Sequence, residues 1–180
     1  MSSDPVIFLL KTLANFYLFI VLLRLVLQLT KADFYNPISQ GVVKATNPLL
    51  LPIRRIIPSI GRLDTASVIL ALIVQLATIA LVLALKGYQL NAMQYAVFTL
   101  AGTLYHLLDL YFWTMLISVI LSWVAPGASH PGAMLVHQVT EPLYSQMRKV
   151  IPNLGGLDLS PIFIFLGISV LKQFLAPFVV

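Results

Sequence analysis

Four long apolar segments constrain the fold of this chain more than any other feature. They run roughly from Val6 to Leu29, from Ala66 to Leu85, within Met93 to Val124, and from Pro161 onward. A helix needs about 20 apolar residues to cross the hydrocarbon core of a membrane. Only 9% of the residues are charged, which is too few for a water-soluble surface. We therefore expect an all-α membrane protein with about four transmembrane helices.

The sequence also repeats itself at an offset of 94 residues. Residues 46–64 align with residues 140–158, and nine of the 19 positions are identical. At the same offset Pro37 falls on Pro131, and Asn15 falls on Asp109. Such symmetry is typical of membrane proteins built from duplicated units. Because each unit contains two spans, an even number, we predict two parallel helix–loop–helix repeats over residues 1–90 and 91–180.

Each long loop is predicted to contain an amphipathic helix that lies in the membrane interface. Apolar side chains of residues 49–57 fall on one helical face, and residues 143–151 show the same pattern. Cationic pairs occupy the opposite faces, namely Arg54 with Arg55 and Arg148 with Lys149. These pairs predict binding to anionic lipid headgroups or to a protein partner, and they also serve as topology signals and interfacial anchors.

Turn and capping residues flank the predicted interfacial helices. In the first repeat they are Asn36, Pro37, Asn47, Pro48, Pro58, Gly61 and Asp64; in the second they are Glu141, Pro142, Pro152, Gly155, Gly156, Asp158, Ser160 and Pro161. Asn47 is the expected N-cap of a helix whose first residue is Pro48. Asp64 is expected to cap the second span, and Asp158 or Ser160 the fourth.

Three of these segments also resemble a known family. Asp33-Phe-Tyr-Asn-Pro37, residues 46–58 and residues 152–161 are similar to the YggT (YlmG) family of small membrane proteins, and the resemblance covers nearly the whole chain. It implies a bacterial inner-membrane protein with relatives in plastids. It further implies links to osmotic or extracytoplasmic stress, to cell division and to the assembly of membrane complexes. One departure is Arg62, where the family motif often has a second glycine.

Polar residues inside the spans have two possible roles. Asn15, Gln75 and Asp109 are the intramembrane polar candidates. Asp109 is suited to relaying protons or coordinating a cation. Alternatively, it forms a packing hydrogen bond, to Asn15 across the pseudo-axis or to His106. Lys11 and Arg24 lie towards the ends of the first span, so we expect them to reach the headgroups.

The sequence shows no pattern typical of an enzyme. It has no cysteine, and Gly155-Gly156 does not form a phosphate-binding loop motif. His137 lies seven residues after His130, a spacing that does not give one compact chelate with Glu141. We therefore predict no catalytic site, no metal and no cofactor. The net charge of +5 is better explained by membrane topology and anionic lipid than by nucleic acid.

The sequence favours a non-catalytic inner-membrane scaffold or assembly factor that supports envelope and osmotic stress tolerance. A small ion channel or transporter subunit is the alternative. The expected partners are anionic lipids and either further copies of the chain or other membrane proteins. The long loops carry most of the cationic residues, so we expect them to face the cytoplasm.

Overall fold

The computed structural model describes residues 5–151 and 158–179. This part of the chain forms six α-helices: α1 (Pro5–Leu29), α2 (Pro37–Ile56), α3 (Thr65–Leu85), α4 (Ala92–Val124), α5 (Pro131–Val150) and α6 (Ser160–Leu175), with a 3-10 turn at Ala176–Phe178. Helices α1, α3 and α4, and α6 with its 3-10 turn, are long and apolar enough to cross a membrane. The predictions of an all-helical fold and four candidate spans are confirmed.

Helix boundaries follow the 94-residue offset of the sequence. Helix α2, shifted by 94 residues, coincides with α5 at both ends. Shifted α1 falls within α4, and shifted α3 covers α6 together with its 3-10 turn. This correspondence of helix boundaries supports the predicted repeat organisation.

Apolar packing holds the helices in two clusters. The larger one includes Val21, Leu22 and Val26 of α1 and extends to α2, α3, α4 and α5. The smaller one joins Met115 of α4 to α5 and α6. Because lipid is as apolar as these side chains, close van der Waals contact and polar links must stabilise the helix pairs.

Helix α2 begins at Pro37, and the predicted start at Pro48 is wrong. Asn36 is the N-cap, since its Oδ1 accepts a hydrogen bond from the Ile38 N–H at 2.9 Å. Asn47 and Pro48 lie inside the helix. A proline inside a helix costs about 3 kcal/mol. That cost is outweighed by packing, because one face of α2 is buried over its length at Ser39, Val42, Thr46 and Leu50.

Helix α5 also begins earlier in the sequence than predicted. Its N-cap is His130, whose Nδ1 accepts from the Ala133 N–H at 3.2 Å, while Glu141 and Pro142 lie inside the helix. His130 falls on Asn36 at the 94-residue offset. The two helix starts also touch, because Asn36 Nδ2 donates to the carbonyl oxygen of Pro131 at 2.8 Å.

The turn after α2 follows the prediction. Helix α2 ends just before Pro58, and Gly61 adopts a positive φ of 59°. Pro152, Gly155 and Gly156, predicted to form the equivalent turn, lie outside the described residues. Pro161 lies in the first turn of α6, as predicted.

Candidate functional site

The polar side chains of the first repeat meet where α1, α2 and α3 join. We call this group the first junction: Arg24, Thr46, Asn47, Arg54, Asp64 and Ser67. Arg24 is only 5% exposed, so the expectation that it reaches the headgroups is wrong. Its Nη1 donates to Thr46 Oγ1 at 2.5 Å, to Asn47 Oδ1 at 2.8 Å and to the Val43 carbonyl oxygen at 3.2 Å. A buried cation must be hydrogen bonded, and α2 supplies the acceptors.

Asp64, at the start of α3, is the acidic member of the first junction. It is fully buried at the N-cap position of α3, but its side chain forms no capping bond with the helix backbone. Instead, Asp64 Oδ2 accepts from Arg54 Nη2 at 2.5 Å and from Ser67 Oγ at 2.6 Å. The Arg24 Nε lies 4.0 Å from the same oxygen. The predicted capping residue is therefore an internal counter-ion for two arginines.

The second junction is the equivalent group where α4, α5 and α6 join: Ser118, Thr140, Glu141, Arg148, Asp158 and Ser160. Arg148 Nε donates to Asp158 at 3.1 Å, and its Nη1 donates to Glu141 at 3.2 Å. The Asp158 side chain is 36% exposed, whereas that of Asp64 is fully buried. The two junctions therefore share an arginine–aspartate link but differ in burial.

Asp158 lies two residues before the first residue of α6 and bonds to its backbone. Its Oδ1 accepts from the Ser160 N–H at 2.9 Å. Hydrogen bonds from Ser160, and then those from Arg148, hold the pKa of Asp158 below its ordinary value despite partial burial. The N-cap position itself is held by Leu159, which has no side-chain cap, so the predicted position of the cap is wrong although Asp158 does bond to the first N–H of α6.

In each predicted cationic pair, one arginine bonds to an aspartate, and Arg148 does so while remaining exposed. Arg54 and Arg148 bond to the aspartates of their own repeats. Arg55 and Lys149 are exposed, and the Lys149 ammonium donates to the nearby Gln146 Oε1 at 3.3 Å. Arg55 and Lys149 are therefore the members of the pairs that are available to a headgroup.

Asp109 forms an ion pair with Lys172 that joins α4 to α6. The expected packing partners, Asn15 and His106, do not bond to it. The Lys172 ammonium also lies 5.0 Å from the ring centroid of Tyr105 and 5.1 Å from that of Phe112. The Asp109 carboxylate and the two nearby aromatic rings together compensate the charge of the Lys172 ammonium.

Gln75 occupies a close contact between α3 and α4. It is 3% exposed and lies against Gly102, where a methyl group would collide with the Gln75 amide. No local sequence pattern predicts this role of Gly102. The two residues together allow the two helices to approach closely.

The histidines and Glu141 form no compact metal-binding group in the described part of the chain. His130 caps α5, and His137 Nδ1 lies 3.7 Å from Glu141. No group of three metal-binding side chains occurs within residues 5–151 and 158–179.

Comparisons with known proteins agree with the repeat seen in the sequence. The CCB3/YggT family matches the chain twice, at residues 3–85 and 97–179. These two matches lie 94 residues apart, which supports the repeat organisation. The repeat boundary at residue 90 stays a prediction.

Curated relatives match along nearly their whole length. An uncharacterized protein of Pseudomonas aeruginosa is 52% identical over 95% of this chain and 88% of its own length. The uncharacterized protein YggT of Escherichia coli strain K12 is 35% identical over 92% of this chain and 86% of its own length. No solved structure matches the chain significantly. The matches to both halves and to these relatives show that the chain belongs to the CCB3/YggT family.

Proposed function

We propose that the protein is a non-catalytic scaffold or assembly factor of the bacterial inner membrane, which supports envelope and osmotic stress tolerance. The observation that carries this proposal is the use of charged groups as joints between helices. Asp109 and Lys172 link α4 to α6, and Arg24 links α1 to α2. Asp64 adds a link from α3 to α2.

Charged groups in a conducting protein face a wet path, because an unpaired charge in lipid is costly. Here the Asp109 carboxylate is neutralised by Lys172, and the Arg24 guanidinium is buried against three acceptors on α2. Such pairs fix the relative positions of helices. A rigid bundle with an exposed apolar surface is suited to holding other membrane proteins.

Affinity purification after cross-linking in mild detergent tests the scaffold role. The expected result is a reproducible membrane-protein partner that is lost when the helix joint is cut by Asp64→Asn. A matched control is Asp158→Asn, which removes an exposed carboxylate and should keep the partner. Recovery of the protein alone from cross-linked cells, at normal expression, would contradict the proposal.

We also propose that both long loops face the cytoplasm. The first long loop carries Lys31, Lys44, Arg54, Arg55 and Arg62, whereas the short turn between α3 and α4 has only Lys86.

Because the chain lacks cysteine, single introduced cysteines report on which side of the membrane each loop lies. Gln40, Gln89 and Ser129 are exposed and suit this purpose, whereas Ser39 is fully buried. An impermeant thiol reagent should label only Gln89→Cys in intact cells. Labelling at Gln40→Cys would show that the first long loop faces the outside and would contradict the proposed orientation.

A further inference from the structure

Lys11 is the one charged side chain inside the candidate spans that lacks a partner in the part of the chain that the structure describes. Arg24 bonds to α2, and Asp109 pairs with Lys172. Lys11 has neither a hydrogen bond nor an ion pair within residues 5–151 and 158–179. It is partly buried and lies about 9 Å along α1 from Pro5. Because an unpaired charge at this depth is costly, we expect an anion from outside the chain beside it.

A second cation lies at the same membrane surface as Lys11. Helices α1 and α3 pack antiparallel, since Arg24 approaches Asp64 and the charge of Lys11 is repelled by that of Lys86. Lys86 is the C-cap residue of α3 and is exposed. The start of α1 and the end of α3 therefore present two ammonium groups to one anion.

An apolar groove between α1 and α3 adjoins Lys11. It has a volume of about 260 Å³, and Leu10, Lys11 and Ala14 line it from the α1 side. On α3 its lining residues run from Leu70 to Val82. This length of helix covers about 18 Å, slightly more than half of the ~30 Å hydrocarbon core. The groove therefore has the length and the apolar lining that one acyl chain within one leaflet requires.

Small side chains create this groove, and the second repeat has larger ones at the equivalent positions. Ala14 and Ala77 line the groove, and at the 94-residue offset they fall on Leu108 and Leu171. The second repeat therefore has bulk where the first repeat has space.

The acid of the second repeat is also missing from the first. Asp109 of α4, which neutralises Lys172, falls on Asn15 of α1. The first repeat thus has a cation without an internal acid, next to open apolar space. Both differences favour an external ligand that is anionic at one end and apolar along the rest.

We propose that an anionic phospholipid binds here, with its phosphate on Lys11 and Lys86 and one acyl chain in the groove between α1 and α3. Charge complementarity selects the headgroup, because two ammonium groups favour a net negative headgroup over a zwitterionic one that carries its own cation. The groove lies between two candidate spans, where lipid is the solvent.

This lipid site is separate from the exposed cations Arg55 and Lys149. Those residues belong to α2 and α5, at the opposite ends of the spans. If both long loops face the cytoplasm, as proposed above, the bound lipid belongs to the outer leaflet. The leaflet rests on that orientation, whereas the binding itself does not, so cysteine labelling and lipid binding test the two proposals independently.

The charge is tested by native mass spectrometry of the purified protein in detergent with phosphatidylglycerol and phosphatidylcholine of identical acyl chains. The parent protein should retain phosphatidylglycerol about tenfold better, the factor for one charge-assisted hydrogen bond. Lys11→Gln should lose this factor, whereas Lys11→Arg keeps the charge and should keep the preference. Lys44→Gln removes an exposed cation from α2, at the other membrane surface, and should also keep it.

The groove is tested separately by Ala77→Leu, which copies Leu171 of the second repeat and keeps both lysines. It should lower the retention of phosphatidylglycerol about as much as Lys11→Gln does. The matched control is Ala84→Leu, which adds the same bulk to α3 at an exposed position beside the α3–α4 turn. Phosphatidylglycerol with a photoreactive acyl chain should cross-link to peptides of α1 and α3 in the parent protein, and less in Ala77→Leu.

Three results would overturn the proposal. If a folded Lys11→Gln keeps the parent's preference, or if Lys44→Gln loses as much of it, Lys11 is satisfied by water at the membrane surface. Cross-links confined to α2 and α5 would place the lipid elsewhere. A dimer that Ala77→Leu dissociates, without bound lipid, would assign the groove to a second copy of the chain.

Discussion

The two junctions show which parts of a duplicated unit must be kept. Both retain the arginine at the end of the amphipathic helix and the aspartate before the next span, as Arg54–Asp64 and Arg148–Asp158. They differ at the span position, where the first has a buried Arg24 and the second has Ser118. The arginine–aspartate link ties each amphipathic helix to the following span. The other charged positions differ between the two junctions.

Burial makes the two links energetically unequal. Asp64 has no exposed surface and contacts two arginines, whereas Asp158 and Arg148 are each partly exposed. Removing one partner of a buried pair leaves an uncompensated charge, whereas solvent screens an exposed pair. Mutations at equivalent positions should therefore change stability by different amounts.

The largest difference in the free energy of unfolding is expected between the variants Asp64→Asn and Asp158→Asn. Asp64→Asn leaves Arg24 and Arg54 without a buried counter-ion and should lower the free energy of unfolding by about 3–5 kcal/mol. Asp158→Asn should lower it by less than about 1 kcal/mol. Unfolding by a titration with denaturing detergent measures both. Equal losses would show that the two links are equivalent despite their burial.

A smaller effect is expected at Asp109. Asp109→Asn leaves Lys172 unpaired and should lower the free energy of unfolding by about 1–3 kcal/mol. The first repeat has Asn15 and Thr78 at the equivalent positions, where no ion pair forms. The double variant Asp109→Asn with Lys172→Thr copies that pair and should recover most of the loss. If the double variant is less stable than the single one, Lys172 is held mainly by the aromatic rings.

Lipid binding should separate the two members of each cationic pair. Replacing Arg55 and Lys149 by glutamine should reduce co-purified anionic lipid, since a basic residue near such a surface contributes about 1 kcal/mol. The matched variant, with glutamine at Arg54 and Arg148, should lose stability instead while keeping its lipid. Phosphate analysis of the purified protein distinguishes them. Loss of lipid in the second variant alone would reverse the assignment.

The smallest expected effect is a dependence of stability on pH through Asp158. Its pKa is lowered in the folded protein, so its contribution is fully present above the ordinary carboxyl pKa of about 3.9. That contribution is lost as the pH falls through the lower, folded value. Tm measured from pH 5 to pH 3 should fall more for the parent than for Asp158→Asn. Parallel curves would show that the carboxylate contributes nothing to stability.

The number and type of helices were predictable because the apolar segments are visible in the local sequence. The repeat is visible by comparing the sequence with itself, without any knowledge of the packing. The start of α2 was not predictable in the same way. Two Asn-Pro pairs, at Asn36 and Asn47, carry the same capping signal. Packing of the early half of α2 on the bundle decides between them, and that contact is invisible in the local pattern.

The polar contacts were less predictable because they join residues far apart in the chain. Arg24 was expected to point to the headgroups, but α2 supplies acceptors about 20 residues later. Lys172 pairs with Asp109 across 63 residues. The 94-residue offset carried one usable signal, because it aligns Arg54–Asp64 with Arg148–Asp158 and so indicates a conserved link.

Ion flux tests most directly whether the charged groups are joints between helices or parts of a pathway. The purified protein in liposomes should show no potassium or proton flux above that of empty liposomes, and Asp109→Asn should be the same. Reconstitution is checked by the protein content of the floated vesicles. A robust flux in the parent protein that disappears in folded, inserted Asp109→Asn would contradict the scaffold and establish a channel or transporter.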